Sequence, residues 1–336
     1  MNVQMNSNFK KKKLSFSDNS FERVIEYLDP MLSDLMSKIS LEAMHRIEEI
    51  RLRTEKPLMV CMEGLDFYVT HNSEISEKNI DSYIVSKDNI VKTFQILCNY
   101  SIYSIEEELR NGFITIKGGH RVGIAGKAVY GKGGLETIKD ISSLNLRIAR
   151  QKIGVSDKLF KHIIKKPNTI YHTLIVSPPQ CGKTTMLRDL IRNISDGVPR
   201  YSFRGIKVGI VDERSELGGL YRGSPQNNVG VRTDILDGCQ KYDGIIILLR
   251  SMSPNVIATD ELGGSQDIKA IHEAIKAGVK IIATVHGEDI NDICSKPNLR
   301  EIVKENIFER IIILDNSQGV GTVRDIIDGT SYKSII

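Results

Sequence analysis

The chain has no tryptophan, and no row of aromatic residues interleaved with lysine and arginine. Single-stranded nucleic acid is held by stacking bases on such rows, so their absence argues against a motor that tracks strands. Also missing is any C-x-x-C pair. Cys61, Cys98, Cys181, Cys239 and Cys294 are widely scattered, which argues against zinc, and an odd count with no secretory signal points to a reducing cytoplasm. The longest pure aliphatic run, Ile245 to Leu249, falls far short of the roughly 18 residues that span a bilayer. Basic residues near the start have no apolar segment behind them, as a signal peptide would require. His272-Glu273-Ala274-Ile275-Lys276 lacks the second histidine of a helical zinc site, which removes metal-protease chemistry. The expectation is a cytoplasmic, soluble protein with no membrane span, meeting a membrane only through partners.

What is present is ordinary for a globular protein of 336 residues, with 40% hydrophobic and 26% charged residues. That length suggests two domains. The net charge of +4 owes much to Lys10, Lys11, Lys12 and Lys13, too small a basic tract to argue nucleic-acid binding by itself. Residues 1–16 are polar, basic and aperiodic and read as a flexible tail.

Residues 17–150 read as an α+β domain. Ser17 or Asp18 can cap a helix bearing Phe21, Val24, Ile25 and Leu28, stopped at Asp29-Pro30, with a second helical stretch over Leu32 to His45. At Ile47 to Arg53 the period changes to two, with Ile50 and Leu52 inward and Arg51 and Arg53 outward, as in a strand. Pro57 to Cys61 and Phe67 to Val69 continue the sheet. Residues 87–110 look helical in two pieces, and 113–125 reads as a hairpin turning at Gly118-Gly119 through a tight two-residue turn. Leu144 to Arg150 alternates again and closes the domain, and polar, lysine-bearing sequence from Gln151 to Asn168 reads as a bridge.

Residues 151–336 form the second domain, and past residue 170 strand-like runs alternate with helical ones: Thr173–Val176, Val208–Val211, Val256–Thr259, Lys280–Val285 and Ile311–Leu314. Near-continuous apolar strands separated by helices predict a parallel sheet covered on both faces, a RecA-like α/β fold.

The chemistry centres on Ser177-Pro178-Pro179-Gln180-Cys181-Gly182-Lys183-Thr184-Thr185, a phosphate-binding loop of the G-x-x-x-x-G-K-[ST] kind with Ser177 at the first glycine position. Loop amides and the following helix N-terminus can cradle the phosphates of ATP, Lys183 can reach the β- and γ-phosphates, and Thr184 can ligate Mg²⁺. Serine fits the first position if its φ is negative. The helix from Lys183 carries Met186, Leu187, Leu190, Ile191 and Ile194 on one face. Three further strands end in polar groups at the edge where such a site lies. Val256 to Thr259 leads into Asp260, a candidate for the metal's shell, and Glu261, a candidate to activate water. Val208 to Val211 leads into Asp212-Glu213-Arg214-Ser215-Glu216, where Glu213 and Glu216 compete with Glu261. Ile281 to Val285 leads into His286, able to sense a γ-phosphate.

With these motifs in order, the second domain resembles the AAA-type ATPases of bacterial secretion and pilus systems. Glu48 to Arg53, Leu144 to Arg150, Pro225-Gln226-Asn227-Asn228-Val229-Gly230-Val231-Arg232-Thr233 and Leu249 to Pro254 make nearly the whole chain similar to the stage III sporulation protein AA family. That family usually opens its loop with glycine, and after Asp-Glu one glycine and a polar residue are expected where Gly263-Gly264 stand. The resemblance implies an ATPase of endospore formers on the mother-cell side of a channel complex joining mother cell and forespore, peripheral at the engulfment membrane, with channel proteins as partners. Similarity to secretion motors implies a homo-oligomeric ring, a hexamer, with ATP between subunits and arginines supplied to the γ-phosphate. Arg147 and Arg150 are the first candidates, with Arg232 and Arg250 behind them. Competing functions are a nucleotide-gated scaffold with little turnover and, more weakly, a nucleic-acid motor.

Overall fold

The computed structural model describes residues 19–99, 105–131 and 134–336. The basic tail and the expected caps Ser17 and Asp18 lie outside the described residues, as does the expected break near Tyr100-Ser101. The chain divides into two compact units, one of residues 1–114 and 120–150, the other of 115–119 and 151–336. Among the described residues no helix is long and apolar enough to cross a membrane.

The first unit opens with α1 (Ser20–Ile25), α2 (Pro30–Ser37) and α3 (Leu41–Arg46). Where one helix was expected over 32–45 there are two. Pro30 starts α2 instead of only stopping α1, because a proline at the first helical position loses no hydrogen bond, and Asp29 caps it by accepting Met31 N. Ser40 restarts the chain as the cap of α3. The sheet contains β1 (Ile47–Arg53), β2 (Met59–Met62), β3 (Leu65–Val69), β4 (Ile75–Ser76), β5 (Phe113–Ile116), β6 (His120–Gly131) and β7 (Gly134–Arg147), in the order β4-β3-β2-β1-β7-β6-β5. Central β1 runs antiparallel to β2 and β7 and buries Ile50 and Leu52, as its alternation predicts. Helices α4 (Lys87–Leu97) and α5 (Glu106–Asn111) precede β5. The β5–β6 turn has three residues, Lys117 to Gly119, not two; φ is +94° at Gly118 and +74° at Gly119, values a side chain would resist.

The second unit carries β8 (Thr173–Ser177), β9 (Val208–Asp212), β10 (Thr233–Asp237), β11 (Val256–Thr259), β12 (Lys280–His286), β13 (Arg310–Asp315) and β14 (Thr322–Asp328). Their order is β10-β9-β11-β12-β8-β13-β14, parallel from β10 to β13, with β14 antiparallel at one edge. All five expected strands are present, and both edge strands are additions. Alternate strand residues feed two cores. Ile175, Ile210, Ala258, Ile282 and Ile312 pack with the apolar stripe of α6 (Lys183–Asp196). Leu174, Val176, Val211, Ile257, Ile281 and Ala283 pack with α7 (Lys241–Ser251), α8 (Ser265–Lys276), α9 (Ile290–Ser295) and α10 (Pro297–Lys304). The supposed bridge at 151–168 is a correction: Leu159, Phe160 and Ile163 are buried in the α6 core, so this segment is part of the unit.

Candidate active site

Because β8, β9, β11 and β12 are neighbouring parallel strands, their C-terminal ends share one sheet edge, the usual ligand-binding edge of such sheets. Ser177 ends β8, paired with His286 of β12, and is fully buried with its Oγ donating to Pro178 O at 2.7 Å. Positive φ falls instead at Gln180 (+62°) and Gly182 (+84°), so serine at the first loop position meets no left-handed strain. Gly182 is the N-cap of α6; a Cβ there would stand 3.0 Å from Val320 Cγ1 and 3.2 Å from Gly321 N. The β13–β14 turn thereby braces the loop, with Gly321 N donating to Cys181 O at 3.1 Å. Cys181 is buried, while Pro179 and Gln180 are exposed and Pro178, Thr184 and Thr185 are half-buried.

Lys183, only 6% exposed, donates from Nζ to His286 Nδ1 at 3.0 Å, and His286 Nε2 meets Glu261 Oε1 at 2.9 Å. These contacts assign the imidazole a proton on Nε2, with Nδ1 as acceptor. Burial pushes the Lys183 ammonium below its ordinary range, against the opposing pull of Asp260 and Glu261. The other Glu261 oxygen pairs with Arg214 Nη1. Burial raises the Glu261 pKa, but the His286 hydrogen bond and the Arg214 charge outweigh it and hold the carboxyl below its usual range. Glu261 has φ of +54°, a strained backbone fixed by its N–H donating to Thr284 Oγ1 at 2.9 Å and Asp260 Oδ1 at 3.1 Å.

Thr184 Oγ1 donates to Asp260 Oδ2 at 2.6 Å, and Thr284 Oγ1 donates to the other Asp260 oxygen. A hydroxyl and a carboxylate so close are hard oxygen donors of the kind Mg²⁺ selects, so these residues fit the metal. Gly263 and Gly264 do not loosen the loop, since both amides donate to Asp267 Oδ2 at 3.0 Å.

The acids after β9 are placed differently. Asp212 is buried and its oxygens accept the amides of Glu216, Leu217 and Gly218 at 2.8–2.9 Å, which folds the loop back on the strand. Glu213 lines a hollow with Asp260 and Glu261 and pairs with Lys241. Glu216 contributes its backbone carbonyl to Arg188 of α6, which also takes Leu217 O at 2.9 Å. Thus Glu261, not Glu213, is the acid that touches the Lys183–His286 pair. Within the first unit, Arg147 lies 3.3 Å from Glu49 and is 58% exposed, whereas Arg150 donates to Ile47 O at 2.7 Å and Met44 O at 2.9 Å. Arg232 donates to Ser195 O at 2.8 Å, and Arg250 is exposed in the last turn of α7.

Sequence reasoning gave no role to Thr284, Arg214, Arg188 or Lys241. Thr284 carried a signal: two residues before His286 on one strand, it lies on the same sheet face. The other three are joined to the site only by folding.

The second unit's phosphate loop and acid-tipped parallel sheet define the fold class of the secretion and pilus ATPases. The structure is similar to the ATPase DotB of Legionella pneumophila, with a TM-score of 0.53 and 15% identity, covering 84% of this chain and 74% of that one. It is similar also to the pilus retraction motor PilT solved with bound ADP, with a TM-score of 0.52 and 16% identity, covering 81% and 75%. In sequence, the chain is 40% identical over 305 residues to Stage III sporulation protein AA of Bacillus subtilis (strain 168), 91% of this chain and 94% of that protein. Residues 19–333 match the family described as Sporulation stage III, protein AA, and the chain belongs to that family.

Proposed function

We propose that the chain binds ATP with Mg²⁺ and hydrolyses it as a secretion-type motor of the mother cell–forespore channel complex during sporulation. The observation that carries this is the convergence of Lys183, Thr184, Asp260, Glu261 and His286 on one strand edge beside the α6 N-terminus. Loop amides from Gln180 to Lys183 and the α6 N-terminus hold the phosphates, and Lys183 moves from His286 to the β- and γ-oxygens. Thr184 and Asp260 would hold Mg²⁺, which when bound would supply positive charge for the phosphates. Glu261 orients the attacking water and accepts its proton, while His286, released by Lys183, keeps its Nε2–H on Glu261 and holds that carboxylate beside the γ-phosphate.

In a hexameric ring a neighbour supplies positive charge, and Arg147 is the better placed of the two first-unit candidates, since both Arg150 terminal nitrogens already serve backbone carbonyls. Such a ring works in the cytoplasm, peripheral at the mother-cell side of the engulfment membrane, against membrane-embedded channel proteins.

The test is Lys183→Ala, which removes a buried charge that belongs to neither apolar core. Turnover and sporulation are both lost while thermal stability is kept; normal sporulation in this variant refutes the motor. The engagement of both Glu261 oxygens favours a second reading, a nucleotide-gated scaffold with little turnover. Wild-type ATP turnover that vanishes in Glu261→Gln excludes it.

A further inference from the structure

Arg214, on the loop that follows β9, reaches Glu261, 47 residues away. The loop that carries it is fastened on every side. Asp212 accepts three of its amides, and Arg188 holds the carbonyls of Glu216 and Leu217. Ser215, at φ +54°, donates from Oγ to Asp237 Oδ1 at 2.8 Å, and Glu213 is anchored by Lys241. Buried anchors and a left-handed non-glycine residue make a frame that a solvated loop does not need. Its one long side chain aimed across the edge is Arg214, which with Glu261, Gly263, His286 and Lys296 lines an open cleft that water can enter.

We propose that Arg214 is a positioning residue for Glu261: its guanidinium fixes one carboxylate oxygen so that the other stays on His286, aligned toward the cleft. This rests on the proposed role of Glu261 in hydrolysis. The charged and titratable groups around that carboxylate are Arg214 from the loop after β9, His286 from β12, Lys183 from α6 and the adjacent Asp260, with Lys296 lining the cleft and Asp212, Glu213, Glu216 and Lys241 lining a second hollow beside Glu261. Lys296 donates to His286 O at 2.7 Å and Asp292 at 3.0 Å, and Lys241 is taken by Glu213, so Arg214 is the cation in direct contact. An ion pair this exposed contributes little to folding, and its contribution is to geometry.

The test uses full-length wild type, Arg214→Gln and Arg214→Lys, with ¹³C-labelled glutamate and the Glu261 carboxyl signal assigned by Glu261→Gln. At a single pH near neutral and without nucleotide, that signal shifts in both variants, because the guanidinium contact is lost. Turnover of Mg-ATP falls about tenfold in Arg214→Gln and is only partly restored in Arg214→Lys, while KM, ADP affinity and the thermal midpoint hold. A Glu261 signal that does not shift, wild-type turnover in Arg214→Gln, or loss of ADP affinity in place of turnover overturns the assignment. If Arg214→Gln does not fold, the lysine variant still decides, because full turnover with a shorter ammonium removes the need for a fixed guanidinium. A wild type that does not hydrolyse ATP refutes the proposed activity alone; the carboxyl signal then still tells whether Arg214 holds Glu261.

Discussion

Thr284 is the residue on which Asp260 and Glu261 are hung, and replacing it with valine isolates that role. The side chain is fully buried in β12. Its hydroxyl gives its proton to Asp260 and accepts the Glu261 amide at 2.9 Å, so one oxygen ties the proposed metal ligand to the proposed water activator. Valine keeps the shape and the β-branching but offers neither bond. Glu261 N retains only the longer contact to Asp260 Oδ1 at 3.1 Å, and Asp260 Oδ1 loses its hydroxyl donor. A net hydrogen bond contributes about 1 kcal/mol, and a partner left unsatisfied in a buried place costs about 1–3 kcal/mol. Thr284→Val should therefore lose about 2–3 kcal/mol of unfolding free energy, read by urea denaturation. The left-handed backbone of Glu261 is then held at its amide by the Asp260 contact alone, so its carboxylate drifts from His286. Turnover then falls by about 10²-fold, with weakened Mg²⁺ dependence, while binding of ADP without metal is kept. A valine variant with wild-type stability and wild-type turnover refutes the keystone role.

Two further outcomes test the frame around the site. Gly182→Ala places a Cβ 3.0 Å from Val320 at a backbone with φ of +84°, which costs about 1–2 kcal/mol and displaces the loop; ADP affinity measured by calorimetry should drop several-fold, and an unchanged affinity would show that the loop geometry is not needed for binding. His172, next to β8, accepts Ile281 N on Nδ1 at 3.2 Å, and burial, with Lys280 adding, pushes its pKa down to about 4. The fold thus favours the neutral ring, so the stabilisation is complete above the unfolded value near 6.5 and is lost as pH falls toward about 4. Between pH 7 and pH 4.5 urea unfolding should lose about 2 kcal/mol at this group, with a flatter slope in His172→Gln; equal slopes would show that the ring is not held neutral.

The sequence made the second unit's core strands and the phosphate loop legible because each is a local pattern. Leu174 to Val176 is apolar at every position since both faces of the strand are covered, and α6 declares itself by Met186, Leu190 and Ile194 at helical spacing. Thr233 to Asp237 was missed because, at the sheet edge, all five of its residues are only half-buried and no apolar run is required. Leu159, Phe160 and Ile163 were hidden among lysines, although their spacing fits one buried helical face. In the site, the residues whose chemistry follows from strand position were named: Lys183, Thr184, Asp260, Glu261 and His286. Those defined by pairing across the chain were not. No local pattern says that Arg214 reaches Glu261, or that Arg150 is taken up by the carbonyls of Met44 and Ile47.

The contacts inside the site explain why an anion is the ligand it suits. Asp260 has two hydroxyl donors, Glu261 has an imidazole and a guanidinium, and Glu213 has a lysine. Lys183 differs: its nearest partner is the uncharged imidazole of His286, although it is almost fully buried. A buried ammonium without a directly paired carboxylate is destabilised by lost solvation, which is why its proton is held less tightly than usual. A phosphate group arriving over the α6 N-terminus supplies that counter-charge and adds loop amides and the helix dipole to its own hydrogen bonds. The same arrival frees His286 Nδ1, leaving the ring joined to Glu261 alone among the contacts described. Phosphate binding at Lys183 and the orientation of Glu261 are therefore linked through one imidazole. In His286→Ala, ADP affinity should hold within about threefold, since Lys183 keeps its role, while turnover falls by about 10²-fold. Equal losses in both quantities would show that the imidazole holds the loop and not the acid.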